Sequence, residues 1–384
     1  MKRKLTISTA LIIAGSFVLG MTVFAQDPSE EEITDRKGTF RIWNFTSHEV
    51  NLEDNGQRRI DAAGSPVRAT SKSQGLTLAT KKLEAVIKTQ TGGGWAFDWA
   101  NLTGSVQLDQ DTISSQGKTT RKLTTERARI DDGADQAKIT LPVKFTFTDI
   151  LTPASNIPRT VAINAGSGEI HLTPLKPNTP VFLKSGTLNS AVIDILLKSQ
   201  KDSSTSQVRS GKVLLVNGEQ AKLTFPGSFE FENERVKPGA HGDSTSKSKI
   251  TGSSGVLNLV ALDALDKLEK NENPLLGATI EGPVTLVMDS TNFREVGEDA
   301  AKKIVKEFNN VQASGSKLTY NKAENKIRLE GQVSYSYETW RDGDAERNPL
   351  IGKTAWLEVV LAADGITAKT VRTGSGSASK GGGQ

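Results

Sequence analysis

The chain has 384 residues, with 48 Lys and Arg against 44 Asp and Glu, and no cysteine. This excludes disulfides, thiolate nucleophiles and cysteine-ligated metals. Lys2, Arg3 and Lys4 supply three of the four net positive charges, so the remainder is close to neutral and does not read as a nucleic-acid binder.

Residues 1–25 read as a signal peptide. Lys2-Arg3-Lys4 is followed by the uncharged stretch Leu5–Phe24, and Val23-Phe24-Ala25 before Gln26 fits a cleavage site. The alternative is an inner-membrane anchor formed by residues 5–25, which is about long enough to cross a bilayer. Either way the body of the chain is expected outside the cytoplasm, in the periplasm. No cysteine precedes the cleavage site to carry a lipoprotein anchor.

Residues 26–38 form a polar leader, and strands are expected from Thr39. Residues 39–198 then read as a first β region. Val67–Lys88 supplies two or three strands. Trp95, Phe97 and Trp99 alternate, which predicts three aromatics on one face. Leu141–Phe147 alternates again, Ala191–Leu197 is a buried-strand candidate, and the prolines between them favour turns and edges over helices.

Residues 199–210, SQKDSSTSQVRS, read as a polar linker, and Lys237–Gly255 as a second loop. Residues 211–372 form a second β region. Asn217-Gly218 marks a hairpin within it. Val256–Lys270 and Asp299–Asn309 carry apolar residues at i, i+3, i+4 spacing and predict two short helices. Residues 373–384 read as a flexible Gly/Ser tail.

The most regular stretch is Ala313–Tyr337, a strand, a polar turn and a strand. Ile327, Leu329, Gly331, Val333 and Tyr335 share one face of its second strand. The pattern apolar-x-Gly-x-apolar-x-apolar recurs at Leu102–Leu108, Phe225–Phe231 and Ile280–Leu286. Parity places each glycine in register with the apolar face. A glycine there marks a close backbone approach, a ligand or a bend in the sheet.

Leu318–Val333, LTYNKAENKIRLEGQV, resembles the repeat of the OstA-like family, which includes the periplasmic lipopolysaccharide-transport bridge proteins. The match rests on Leu318-Thr319-Tyr320, Asn325 and Leu329-Glu330-Gly331-Gln332-Val333; Gly75–Ile87 is an incomplete copy with Ala85 in place of the glycine. The resemblance implies a mostly β fold, an elongated antiparallel β-jelly roll of OstA-like type in one or two lobes. It also implies binding of lipopolysaccharide or another membrane lipid and edge-to-edge contact with other such envelope proteins. The acyl chains would lie along Leu102, Val106, Leu108, Phe225, Phe229, Phe231, Ile280, Val284, Leu286, Ile327, Leu329, Val333 and Tyr335. A structural or adhesive cell-envelope protein with a filled core is the alternative.

No catalytic constellation is visible. His48, His171 and His241 lie far apart, and there is no HExxH, P-loop or GxSxG motif. Asp342-Gly343-Asp344 lacks the remaining ligands of a calcium loop and reads as a turn. The expectation is a protein that is not an enzyme, with no cofactor, no metal and no nucleic-acid partner.

Overall fold

The computed structural model describes residues 30–35, 38–52, 56–71, 75–89, 95–114, 117–132, 136–153, 159–172, 183–198, 203–261, 275–297, 303–344, 347, 349–361 and 368–380. These residues form antiparallel strands and contain no helix. The first are β1 (Glu30–Asp35), β2 (Gly38–Trp43), β3 (Ser47–Leu52), β4 (Gln57–Ser71), β5 (Leu76–Thr89), β6 (Trp95–Ser114) and β7 (Gly117–Asp132). Next come β8 (Ala137–Leu141), β9 (Phe145–Pro153), β10 (Arg159–Ala165), β11 (Ser167–Leu172), β12 (Leu183–Lys198), β13 (Ser203–Asn217), β14 (Gln220–Phe225) and β15 (Phe229–Lys237). The last are β16 (Ser244–Gly252), β17 (Ser254–Val260), β18 (Leu275–Val296), β19 (Lys303–Asn321), β20 (Lys326–Arg341), β21 (Leu350–Leu361), β22 (Ala368–Thr373) and β23 (Gly376–Lys380).

Long and short strands divide the labour. β7 pairs with β8 along one half and with β9 along the other. β12, β13, β18 and β21 take two short partners in the same way. Each long strand therefore crosses two walls of hydrogen-bonded strands. Wall A runs β1-β2-β4-β5-β6-β7-β9-β10-β12-β13-β15-β16-β18-β19-β20-β21-β23. Wall B runs β3-β4-β5-β6-β7-β8-β11-β12-β13-β14-β17-β18-β19-β20-β21-β22. At about 4.8 Å per strand the stack is on the order of 70 Å long. Buried residues from both walls belong to one apolar cluster, so the walls pack against each other across a common fold line.

Glycines and hydroxyls build that line. Register shifts between Thr103 and Val106, Glu281 and Val284, and Glu330 and Val333 bracket the glycine motifs. Gly104, Gly282 and Gly331 have φ of 80°, 91° and 81°, and Ser105 and Gln332 follow at 49° and 50°. These glycines bend the chain at the corner and do not lie on the apolar face: Gly331 is exposed, while Leu329 and Val333 on either side are fully buried. Neighbouring strands turn the corner on a buried hydroxyl. Thr80 Oγ1 donates to the carbonyls of Lys82 (3.2 Å) and Thr103 (3.0 Å). Thr125 donates to Arg127 and Lys144, Ser210 to Lys212 and Ser228, and Thr354 to Trp356. In three cases the second acceptor belongs to the adjacent strand or corner, so the hydroxyl occupies carbonyls that the bulge takes out of the ladder.

Several sequence expectations are corrected. The two predicted helices are not formed by the described residues. Val256–Val260 lies in β17, and 303–309 lies in β19; the rest of both stretches lies outside the described residues. Gly255, Leu257, Leu259 and Ala261 are buried alternately, so the apolar spacing served period 2 as well as period 3.6. In β19, Phe308 stacks on its cross-strand partner Trp340 at 5.2 Å on the outer face, which only a strand allows. The polar linker is strand from Ser203, paired on both sides by β12 and β15, because Ser and Thr suit a half-solvated sheet. The second loop contains β16, the leader contains β1, and the tail contains β23. Residues 1–29, including the signal-peptide segment, lie outside the described residues.

The expected hairpins are present. Asn217 pairs with Ala221 around Gly218. Asn321 pairs with Lys326 around a turn in which Asn321 Oδ1 accepts from the Ala323 amide and Asn325 has φ 49°. Asp342–Asp344 is a turn, closed by the Arg341 amide donating to the Asp344 carboxylate at 2.6 Å. Of the three aromatics expected on one face, Trp99 stands on the outer face beneath Arg129 at 4.8 Å, and the side chains of Trp95 and Phe97 lie outside the described residues.

Candidate functional site

The cleft between the walls can be read row by row, because residues two apart share a face and directly paired residues line up across strands. Next to the fold line on wall B lie Leu102, Leu141, Val213, Phe225, Ile280, Leu318, Leu329 and Leu357, each 0–1% exposed. Val106, Phe145, Val284 and Val333 answer them from wall A, also at 0–1%. Leu286, one row higher, is 0% exposed. This keel is filled.

Twelve of the thirteen sequence-nominated residues lie in the single buried cluster, and Phe231 packs against it half-buried. The structure therefore brings them together in one interior, from both walls. It also separates them by access. Leu102, Val106, Phe225, Ile280, Val284, Leu286, Leu329 and Val333 are sealed within packed protein, whereas Phe231 is half-buried.

The accessible apolar surface stands higher, toward the lips. On wall A it consists of Phe147, Val161, Ile195, Phe231 and Ile250; on wall B of Ile130, Ile139, Ile170, Leu183 and Leu275. All are half-buried and pack against the keel. Leu141–Phe147 and Ala191–Leu197 alternate or read as buried in sequence, but nothing in them says how high above a fold line each residue stands.

The lips differ in chemistry. On wall B the second row continues Ile60, Ala85, Ala100, Ile130, Ile139, Ile170 and, further on, Leu223, Leu257, Ala278, Tyr320, Ile327 and Val359. Burial raises the Tyr320 phenol pKa above its ordinary value, so it stays protonated. On wall A polar side chains enter the third row. Arg121 faces Asp149 at 3.5 Å and donates to Gln110 at 3.4 Å. Further along the chain the row reads Val161, Ile195, Ser206, Asn233, Ser248, Met288 and Val311, and the one above it Ser204, Arg235, Ser246, Ser290, Asn309 and Thr339. Asn233 Oδ1 accepts from Ser206 (2.9 Å) and Ser204 (3.4 Å); Thr339 donates to Asn309 (2.9 Å) and to the Tyr337 hydroxyl (2.8 Å). The site is thus a long cleft with an apolar floor, one apolar lip and one partly polar lip.

His171 Nε2 lies 2.7 Å from Glu169, and His48 stacks on Phe45 at 4.5 Å, each in a separate setting. Among the described residues no group of three His, Asp or Glu is placed to hold a metal ion. Compared with protein-family models, with curated proteins and with solved structures, the chain matches none.

Proposed function

We propose that this is a lipid-binding protein of the cell envelope, acting in the periplasm in transport of lipopolysaccharide or a related amphiphile, with acyl chains held between the two walls. The observation that carries this reading is the set of half-buried apolar side chains above the filled keel, with Phe147, Phe231, Val161 and Ile195 spread over two rows of one wall and Ile139, Ile170 and Leu183 on the other. Binding there needs no chemistry, since each methylene moved from water into such a cleft gains about 0.8 kcal/mol. The OstA-like resemblance of Leu318–Val333 supports the same reading, and a jelly-roll description of the fold belongs with it. β3, β22 and β23 each pair with one neighbour only among the described residues, which leaves edges suited to strand addition by similar envelope proteins.

The test is photocrosslinking in cells. A benzophenone side chain at Phe231 or Ile170 is expected to capture lipid, and one at the outward-facing Glu230 or Arg328 to capture none. Capture of protein alone at the first two positions sinks the lipid reading. A second reading, a structural or adhesive envelope protein, is favoured by one observation, the keel residues at 0% exposure, and takes over in that case.

A further inference from the structure

In the C-terminal half of wall A the third and fourth rows form a band of hydroxyls and amides directly above apolar side chains. Val208, Phe231, Ile250 and Leu286 pair in one row, and Ser206, Asn233 and Ser248 pair in the next. The two rows stand about 7 Å apart, two residues along an extended strand. An amphiphile whose chain lies on the first would present its head to the second.

Part of the band is satisfied internally, through Asn233 and Asn309. Ser246 and Ser248 are not. The two residues stand 7% and 9% exposed, and their hydroxyl oxygens are not among the fully buried atoms left without a partner, so both keep accessible surface. An accessible hydroxyl on an inner face both donates and accepts, and can bond a ligand that enters beside it.

The charge balance narrows the ligand. Glu307 and Arg341 lie against each other at 3.9 Å, and Arg235 is already engaged. The remaining polar groups of the band are neutral and both donate and accept, which suits hydroxyls better than phosphate.

We infer that the C-terminal half of the cleft binds the uncharged, hydroxyl-rich head of an amphiphile, a saccharide, in preference to a phosphorylated or carboxylate head. The inference rests on the lipid-binding reading above and adds a head-group selectivity to it.

Three probes with the same alkyl chain separate the outcomes: dodecyl maltoside, dodecylphosphocholine and laurate, titrated as monomers into the full chain by calorimetry. The maltoside is expected to bind roughly fivefold or more tightly than the other two. Ser246→Ala with Ser248→Ala is expected to remove that preference and leave dodecylphosphocholine binding unchanged. Equal binding of all three, or tighter binding of a charged head, overturns the inference and leaves the lipid reading standing. No binding of any probe overturns both. A preference that survives the double alanine variant removes these two serines from the inference, and Asn309→Ala, whose unfolding midpoint reports on its fold, then decides against the band as a whole if it too keeps the preference.

Discussion

The two walls are made by the same strands and meet the same keel, yet their inner faces diverge with height. Wall B stays apolar from Leu223, Leu257 and Ala278 up to Ala221, Leu259 and Leu275 in the row above. Wall A changes within two residues from Val208, Phe231 and Ile250 to Ser206, Asn233 and Ser248. A sandwich stabilised only by its core gains nothing from such a gradient, because every Ser or Asn on an inner face forgoes apolar burial. On the proposed lipid-binding reading, the difference assigns stability to the keel and wall B and selectivity to the upper part of wall A.

The largest expected effect is on wall B. Leu257→Ala should cost about 2–5 kcal/mol, because the side chain is 5% exposed within the cluster. Ser248→Ala on wall A should change stability by less than about 1 kcal/mol, since no described residue bonds its hydroxyl. Denaturant midpoints measured side by side check the contrast; equal losses would mean that the upper rows of both walls are structural.

Next come the corners, which join the walls. Gly331→Val should cost about 3 kcal/mol, since φ is +81° and a Cβ there collides with Ser316 Oγ. Gln332→Gly should stabilise by about 0.5–1 kcal/mol, relieving a φ of 50° in a residue with a side chain. Thr354→Val should cost about 1–3 kcal/mol by leaving the Trp356 carbonyl without its hydroxyl donor at 3.1 Å. Urea unfolding of the three variants orders these effects, and a harmless Gly331→Val would remove the glycine from the corner.

The glycine motifs show what a sequence tells and what it hides. Alternation around Gly104, Gly282 and Gly331 correctly names strands and places Leu329 and Val333 on one face. It places the glycine there too, because parity counts residues and is blind to a bulge in which the glycine, joined at Gly104 and Gly331 by the next residue, takes positive φ and the strand resumes its old face. The hydroxyl corners at Thr80, Thr125, Ser210 and Thr354 are not signalled by sequence, as their acceptors come partly from strands up to 24 residues away. Ser203–Ser210 and Ser244–Ser248 read as loops because composition alone equates serine with solvent, while here serine lines an inner face. The site was legible as a set of apolar faces; which of them are sealed and which stay half-buried depends on height above the fold line, a tertiary quantity.

The smallest effect tests whether the divergence is confined to the inner faces. Outside, both walls carry ion-paired strands: Lys249 lies 2.7 Å from Glu230 and 2.9 Å from Glu232 on wall A, and Lys326 lies 2.8 Å from Glu324 and 3.4 Å from Glu358 on wall B. The hydrogen bond from Lys249 holds the Glu230 pKa below its ordinary 4.5, with Arg209 adding to it, and the bond from Lys326 does the same for Glu324. A carboxylate whose pKa is lowered by folding stabilises the folded state above its unfolded pKa and loses that contribution as pH falls through the lowered value. Both pairs are solvated, so each contribution is small and screened by salt. Glu230→Gln and Glu324→Gln should therefore each make the melting temperature fall slightly less between neutral pH and pH 3 than it does in the parent, and 1 M salt should erase the difference. If only the wall A variant responds, the outer faces differ as the inner ones do, and the gradient on wall A belongs to the whole wall instead of its cleft side.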